Sequence, residues 1–285
     1  MIPATTQSVP LTVQRLLDPM RQAGQATAVI SVNAHGDQTS TTLNTLARGA
    51  EALAHRLVSW GLRPGEPVGT LMGTHHGHLQ VLLGIALAGG VAHPLSPRWA
   101  DDVLASVLNQ CGDRLLIVDP PWLPRAQALA PVSVCVVTCT DRLGERAPSR
   151  PLPVLREEQA MVICHTSGTT GLPKAVVHSH RAIVLHALSA GTVDGFTVSR
   201  EDTVVHVVPL WHALSIGLPF AACLHGSRQV FTMDLDALTL LDVLESCGAT
   251  LSGGLSTGWL PLVCALEDHP GRWRGAPGLR LLCGG

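Results

Sequence analysis

The feature of this chain that most restricts its fold is a repeated alternation of short apolar segments with amphipathic segments of helical period. Between Thr42 and Gly61, apolar residues recur with the spacing of one helix face. We predict that Thr42 caps the start of this helix and Gly61 its end. The apolar segment Val68 to Met72, typical of a buried strand, follows it. Repeated along the chain, this alternation indicates an α/β fold with doubly wound, mostly parallel sheets covered by helices.

The same pattern predicts the remaining elements. Further strands are predicted at Val91–His93, Arg114–Val118, Met161–His165, Ala175–His178, Thr203–Val207, Gln229–Phe231, Ala249–Ser252 and Leu279–Cys283. Further helices are predicted at Leu79–Ala88, Asp101–Gln110, Ser179–Ala190, His212–Leu224 and Leu235–Cys247. Two Pro-rich stretches, 119–131 and 141–153, separate the halves, and the second reads as an exposed connection. We therefore divide the chain at about residue 153, into 1–153 and 154–285.

Charge and hydropathy exclude several classes of protein. The 19 basic and 21 acidic residues give a formal charge of −2, so nothing favours a nucleic-acid partner. The longest apolar stretch, Leu79 to Ala92, is interrupted by glycines and is too short to cross a bilayer. The N-terminus lacks the charged and apolar regions of a secretion signal. Cys135 and Cys139 lie in Val132 to Thr140, a run with strand propensity. The eight cysteines show no paired CxxC spacing and are expected to be buried free thiols. We predict a cytoplasmic protein with no integral membrane segment.

The most informative segment runs from Met161 to His178, where a stretch of six Thr, Ser and Gly residues separates two apolar strands. Glycines allow positive φ and a close approach of the backbone to a ligand. The hydroxyl groups and successive backbone N–H groups are compact donors, and Lys174 adds a cation. Such a hairpin suits a polyphosphate, whose oxygens accept many hydrogen bonds at once.

Two other interpretations of this hairpin are possible. A Walker A loop does not fit, because Gly-x4-Gly-Lys-[Ser/Thr] cannot be aligned with residues 168–175. A flexible polar hairpin without a ligand is the simpler alternative. The uninterrupted run, closed by Gly-x-Pro-Lys between apolar strands, favours the phosphate site.

Four segments together resemble the adenylate-forming superfamily of acyl- and aryl-CoA synthetases, luciferases and peptide-synthetase adenylation domains. Thr166-Ser-Gly-Thr-Thr-Gly-Leu-Pro-Lys174 is similar to the signature phosphate loop of that family. Leu87-Ala-Gly-Gly-Val-Ala-His-Pro-Leu95, Pro209-Leu-Trp-His212 and Leu279-Arg-Leu-Leu-Cys-Gly-Gly285 are similar to three further family motifs. The resemblance extends over nearly the whole chain and implies the N-terminal AMP-binding domain of an acid–CoA ligase.

The resemblance implies a two-step reaction with ATP, Mg²⁺ and coenzyme A. A carboxylic acid is first activated as an acyl-adenylate, and a thiol, usually that of CoA, then takes the acyl group. The residues implied to hold the β- and γ-phosphates are Thr166, Ser167, Gly168, Thr169, Thr170, Gly171 and Lys174. The catalytic residue implied beside the carboxylate is His212, and the residues implied to line the substrate pocket are Trp211, His212, Gly284 and Gly285.

The chain also departs from the family pattern. Ala175 replaces a usual glycine, and His93 and His165 occupy places often held by an aromatic residue, a change expected to alter loop packing. The sequence ends before the family's adenine-binding segment and its C-terminal domain with the catalytic lysine. We therefore expect the 285-residue chain alone to be inactive. We also expect its last predicted strand to leave apolar surface exposed.

Several polar residues have structural interpretations. His75, His76 and His78 follow a strand with no cysteine or carboxylate near them in sequence, and we assign no metal ligand in the chain. We expect Asp234 to cap a helix.

Four histidines farther along the chain fall into three kinds. His178 and His180, beside the predicted N-cap Ser179, are expected to be solvated residues at a helix start, and His206 to be a core residue. Only His212 has a positional argument for function, and that argument comes from the family resemblance.

Three alternatives to the CoA ligase remain open. One is an adenylation domain that loads a carrier protein. Another is a truncated, non-catalytic or regulatory fragment. The third is a phosphotransferase, which ranks last because the chain offers neither a Walker lysine nor an identifiable base.

Overall fold

A computed structural model describes residues 9–23, 27–131, 133–139, 150–166, 173–215, 217–274 and 278–284. The strands are β1 (Ala28–Val32), β2 (Gln38–Thr42), β3 (Pro67–Leu71), β4 (Val91–Pro94), β5 (Leu115–Val118), β6 (Cys135–Thr138), β7 (Ala160–Thr166), β8 (Lys174–Ser179), β9 (Thr203–His206), β10 (Arg228–Thr232), β11 (Leu251–Gly254) and β12 (Arg280–Cys283). The helices are α1 (Gln14–Gln22), α2 (Leu43–Ser59), α3 (His76–Leu87), α4 (Asp101–Cys111), α5 (Leu123–Leu129), α6 (His180–Ala190), α7 (Leu218–His225), α8 (Ala237–Ser246) and α9 (Ser256–Asp268).

The strands form two six-stranded sheets. The first has the order β6-β5-β3-β4-β7-β8 and the second the order β12-β11-β9-β10-β1-β2. Neighbouring strands are parallel except for the pairs β7–β8 and β1–β2, each at one edge of its sheet. This confirms the predicted doubly wound α/β class. Each sheet takes strands from both sides of residue 153, so the expected boundary does not separate the two sheets.

Buried side chains arrange these elements in five layers. The largest cluster joins α1, α2, α3, α6 and α7 to one face of each sheet, through residues such as Val68 in β3 and Phe231 in β10. A second cluster covers the other face of the second sheet with α8 and α9. A third covers the other face of the first sheet with α4 and α5. Helices therefore lie on both faces of each sheet, as parallel sheets require, whereas the edge strands β8 and β12 stay partly exposed.

Two predicted helix starts are confirmed at atomic detail. The Thr42 hydroxyl accepts a hydrogen bond from the Thr45 amide at 3.1 Å and caps α2. The Ser179 hydroxyl accepts one from the Ala182 amide at 3.2 Å and caps α6. Gly61 follows the end of α2 with φ +91°, a conformation that favours glycine.

Two predictions about helix starts are wrong. The helix predicted from His212 begins only at Leu218, with Pro219 in its first turn, and a short 3-10 turn spans Ala213–Ser215. Asp234 does not cap α8. The cap is Asp236, whose carboxylate accepts bonds from two backbone amides in the first turn.

Several elements were not predicted, namely β1, β2, α1, α5 and α9. The helix α5 lies inside the first Pro-rich stretch, and α9 contains Pro261. Buried Trp259, Leu262 and Ala265 hold α9 against α8, so tertiary packing outweighs the helix-breaking residue.

The cysteines, the last strand and the helices can be compared with three further expectations from the sequence. All eight cysteines are described and are free thiols, but only Cys164 and Cys223 are fully buried. On β12, Leu281 is 46% exposed, as expected of the last strand. Among the described residues, no helix has both the length and the apolar character needed to cross a membrane.

Candidate functional site

The structure describes the base of the hairpin that is predicted to bind phosphate. Strands β7 and β8 pair in antiparallel fashion, with Thr166 opposite Lys174 and His165 opposite Ala175. Thr166 and Lys174 are both exposed. The five predicted phosphate-binding residues between them lie outside the described residues: Ser167, Gly168, Thr169, Thr170 and Gly171. The two ends of the predicted loop are therefore held side by side at the edge of the first sheet.

A buried pair of histidines supports the base of this hairpin. The Nε2 atoms of His93 and His165 lie 2.7 Å apart, and His93 Nδ1 lies 2.8 Å from a carboxylate oxygen of Asp113. Burial would lower the pKa of His93, but hydrogen bonds to Asp113 and Cys111 outweigh it and raise that pKa to about 9. Burial and the neighbouring charge of His93 lower the pKa of His165 to about 4. The two departures from the family's aromatic pattern thus form one polar contact between β4 and β7.

His212 follows β9 in a loop that is fixed at several points. The Leu210 amide donates to the Thr74 hydroxyl at 3.2 Å, and the Ser215 hydroxyl donates to the His212 carbonyl at 2.9 Å. The 3-10 turn after His212 packs against β7. Burial lowers the pKa of His212, which favours the neutral imidazole. The chain therefore brings a neutral histidine close to the strand that leads into the hairpin.

An exposed ion pair lies beside Trp211. The guanidinium of Arg98 pairs with the carboxylate of Asp234 and lies 5.8 Å from the Trp211 ring centroid. Asp234 has φ +52°, an uncommon conformation for a residue other than glycine. Asp234 is thus paired with Arg98, and Asp236, the residue directly before α8, is the cap of that helix.

Two adjacent cavities occupy the carboxyl-terminal edge of the second sheet. One, of about 590 Å³, is lined by both Trp211 and His212. The other, of about 610 Å³, is lined by α6, the 3-10 turn, the ends of β9, β11 and β12, and Gly284. Val208 and Gly254 border both cavities. Ligands of open α/β sheets bind at this edge.

The predicted pocket residues are therefore divided between the two cavities, with Gly285 outside the described residues. The cavity lined by Gly284 has a largely apolar wall that includes Ile183, Phe196 and Leu218. His178 of β8 also borders it, so the strand that carries Lys174 reaches this cavity.

The three histidines near the start of α3 have separate structural roles. His75 caps α3 and its Nε2 atom lies 2.9 Å from an Asp119 carboxylate oxygen. His76 contacts the Ser31 hydroxyl at 2.7 Å. His78 is fully buried between the Thr70 hydroxyl and the Gly73 carbonyl, and burial lowers its pKa to about 4. These are the polar contacts of a helix start.

Two further histidine predictions have different outcomes. His206 is a core residue, as predicted, with its ring stacked on Phe231 and its Nε2 atom 2.9 Å from the Gln229 side chain. The prediction that His180 is solvated is wrong. It is 1% exposed, accepts a hydrogen bond from the Val13 amide at 3.3 Å, and has a pKa lowered to about 4 by burial. Its helix position faces α1 rather than solvent.

Sequence reasoning missed four residues of this region, namely Arg98, Cys111, Asp113 and Asp119. Each of these side chains contacts a residue that is distant along the chain. The 20 residues between Asp113 and His93, and the 72 between the two histidines, leave no local spacing signal. Only the parallel pairing of strands brings them together.

The five-layer fold with its edge hairpin is that of the N-terminal domains of adenylate-forming enzymes. The sequence profile of the AMP-binding enzyme family matches residues 18–285, and the chain belongs to this family.

Three relatives illustrate the similarity. A long-chain-fatty-acid–CoA ligase of Thermus thermophilus is 36% identical over 82% of this chain and 45% of its own length. A 3-methylmercaptopropionyl-CoA ligase of Ruegeria lacuscaerulensis is 30% identical over 89% of this chain and 51% of its own length. An inhibitor-bound crystal structure of the N-terminal domain of FACL13 from Mycobacterium tuberculosis superposes with a TM-score of 0.82 at 23% identity, over 96% of this chain and 70% of that domain, and supports the fold alone. The chain spans about half the length of these curated relatives.

Proposed function

We propose that this chain is part of an enzyme that activates a carboxylic acid with Mg-ATP as an acyl-adenylate and transfers the acyl group to coenzyme A. The observation that carries the proposal is the base of the β7–β8 hairpin, where exposed Thr166 lies opposite exposed Lys174. A polyphosphate bound between them meets a hydroxyl donor and a cation at once. The two CoA ligases named above support CoA as the acceptor.

The phosphate role follows from the chemistry of the hairpin. Nucleophilic attack of a carboxylate on the α-phosphorus releases pyrophosphate, and negative charge builds up on the leaving group. Lys174, Thr166 and the five predicted residues between them are proposed to hold the β- and γ-phosphates and to stabilise that charge. Magnesium enters as part of the nucleotide substrate.

His212 is the proposed catalytic residue on the acid side. Its neutral imidazole can donate a hydrogen bond to the substrate carboxylate without forming an ion pair that would weaken the nucleophile. Trp211 lines the same cavity. Gly284 and Gly285 are proposed to lie where the acyl pocket meets the adenosine site, with the apolar wall around Phe196 available to an acyl chain. Free thiols and an ATP-dependent reaction support a cytoplasmic location.

The test is acid-dependent exchange of labelled pyrophosphate into ATP, measured on the complete protein that contains this chain. We expect Lys174→Ala to lower the exchange rate about a hundredfold, the cost typical of removing one group that stabilises transition-state charge. Thr169→Ala should lower it in the same direction, and Lys174→Arg, which keeps the cation, should lose less.

The matched control is Arg200→Ala, which removes an exposed cation from a turn far along the chain. Exchange should be unchanged in this variant. Equal activity of Lys174→Ala and Arg200→Ala would refute the phosphate role. Exchange that proceeds without formation of a CoA thioester would refute the proposed acceptor and leave the adenylation step intact.

A further inference from the structure

A cluster of three side chains below the hairpin has the composition of a metal site. His93 lies in β4, Cys111 is the last residue of α4, and His165 lies in β7. One ligand atom from each lies within 4.8 Å of the other two. Three elements that are separate in sequence thus bring two nitrogens and one sulfur close together.

The cluster is built like a site rather than a surface patch. His93 is fully buried and His165 is 8% exposed, whereas Cys111 is half-buried and leaves a route from solvent. Asp113, whose side chain is fully buried, contacts Nδ1 of His93 and leaves Nε2 directed at His165. A carboxylate on the far nitrogen of a metal-binding histidine is a recurrent outer-shell arrangement that fixes the ring and raises its basicity.

We propose that His93, Cys111 and His165 bind a zinc ion, with Asp113 orienting His93. This inference does not depend on the proposed ligase activity. Zinc accepts imidazole nitrogen and thiolate sulfur at about 2.0–2.3 Å. Two imidazole nitrogens on a tetrahedral zinc lie about 3.3 Å apart, so the present separation of 2.7 Å between the Nε2 atoms needs to widen by only about 0.6 Å.

The ligand set selects against the magnesium of the nucleotide. Magnesium prefers six oxygen ligands in an octahedron. The carboxylate of Asp113 contacts His93 Nδ1 instead of facing the three proposed ligand atoms. Zinc binding replaces the proton between the two imidazoles and the thiol proton of Cys111, both of which pass to solvent. A water molecule completes the fourth position. The ion would join β4, α4 and β7.

The experiment is a zinc titration of the untagged, metal-free 285-residue chain, in competition with a chromophoric chelator. We expect one zinc per chain. Cys111→Ser should weaken binding by a hundredfold or more, because it removes a ligand, and Asp113→Asn by about tenfold to a hundredfold. The matched control is Cys264→Ser, which removes an exposed cysteine from α9 and should bind like the unmodified chain.

Two further measurements keep the proposal falsifiable if a variant does not fold. Zinc should raise the melting temperature of the unmodified chain and of Cys264→Ser, since a ligand that binds only the folded state stabilises it. Cobalt in place of zinc should give a thiolate-to-metal charge-transfer band in the unmodified chain. Absence of that band, or equal zinc affinity in Cys111→Ser and Cys264→Ser, would overturn the proposal.

Discussion

Substitution of Gly84 by alanine tests how closely α2 and α3 approach each other. In an isolated helix, glycine to alanine stabilises by about 1 kcal/mol. At Gly84 the added Cβ would lie 2.8 Å from Leu53 Cδ2 and 3.0 Å from the Ala50 carbonyl oxygen. The carbonyl belongs to the backbone of α2 and cannot rotate away, so the two helices must separate. Overpacking of this kind costs about 1–3 kcal/mol. We expect a net loss of about 1 kcal/mol.

Gly258→Ala is the matched control for this substitution. Gly258 lies in α9, and its added Cβ would meet no atom within 4 Å. This variant should be stabilised by up to about 1 kcal/mol. The free energies of unfolding, measured by urea denaturation followed by circular dichroism, should therefore differ by about 2 kcal/mol between the two variants. A Gly84→Ala variant as stable as Gly258→Ala would show that α2 and α3 do not approach each other this closely.

Two further outcomes follow from the buried polar groups and the helix caps. Burial lowers the pKa of His78, His180 and His206 to about 4. In the unfolded chain these histidines have an ordinary pKa near 6.5 and are protonated first as the pH falls. The free energy of unfolding should therefore decrease between pH 6.5 and 4, by up to about 3 kcal/mol per histidine. Urea midpoints independent of pH in this window would contradict the assignment. Thr42→Ala should cost about 1 kcal/mol by removing the cap of α2, whereas Thr42→Ser should cost little, and equal losses would contradict the capping role.

The fold could be predicted where local pattern and tertiary structure agree. Apolar strands on both sides of a Gly- and hydroxyl-rich stretch were enough to predict the β7–β8 hairpin. Thr42 and Ser179 cap as predicted, because capping depends only on residues within one turn. The strand β8 was recognised although it is largely exposed, since β-branched residues mark it.

The remaining elements depend on contacts that the sequence does not display. Asp234 and Asp236 are both candidates for a helix cap in the sequence, and the start of α8 at Ala237 makes Asp236 the cap, while Asp234 pairs with Arg98. The helix α9 combines Gly258 with Pro261, which argue locally against a helix, and its buried face decides the outcome. The sequence predicts a solvated His180, because no local pattern shows that the start of α1 covers it.

The candidate site was predictable only in part for the same reason. Trp211 and His212 line one cavity, as their adjacency suggests, but the separation of Gly284 into a second cavity depends on the order of β9, β11 and β12. The cluster of His93, Cys111 and His165 requires the pairing of β4 with β7, which no spacing along the chain reveals.

The phosphate role of the hairpin can be tested directly at Lys174, the only lysine among the 285 residues. Reductive methylation with ¹³C-formaldehyde therefore labels one side chain, and the α-amino group serves as an internal reference. On titration with Mg-ATP, we expect the Lys174 methyl resonance to move and saturate while the reference stays in place. A Lys174 resonance that remains fixed up to millimolar nucleotide would contradict the claim that the β7–β8 hairpin holds the triphosphate.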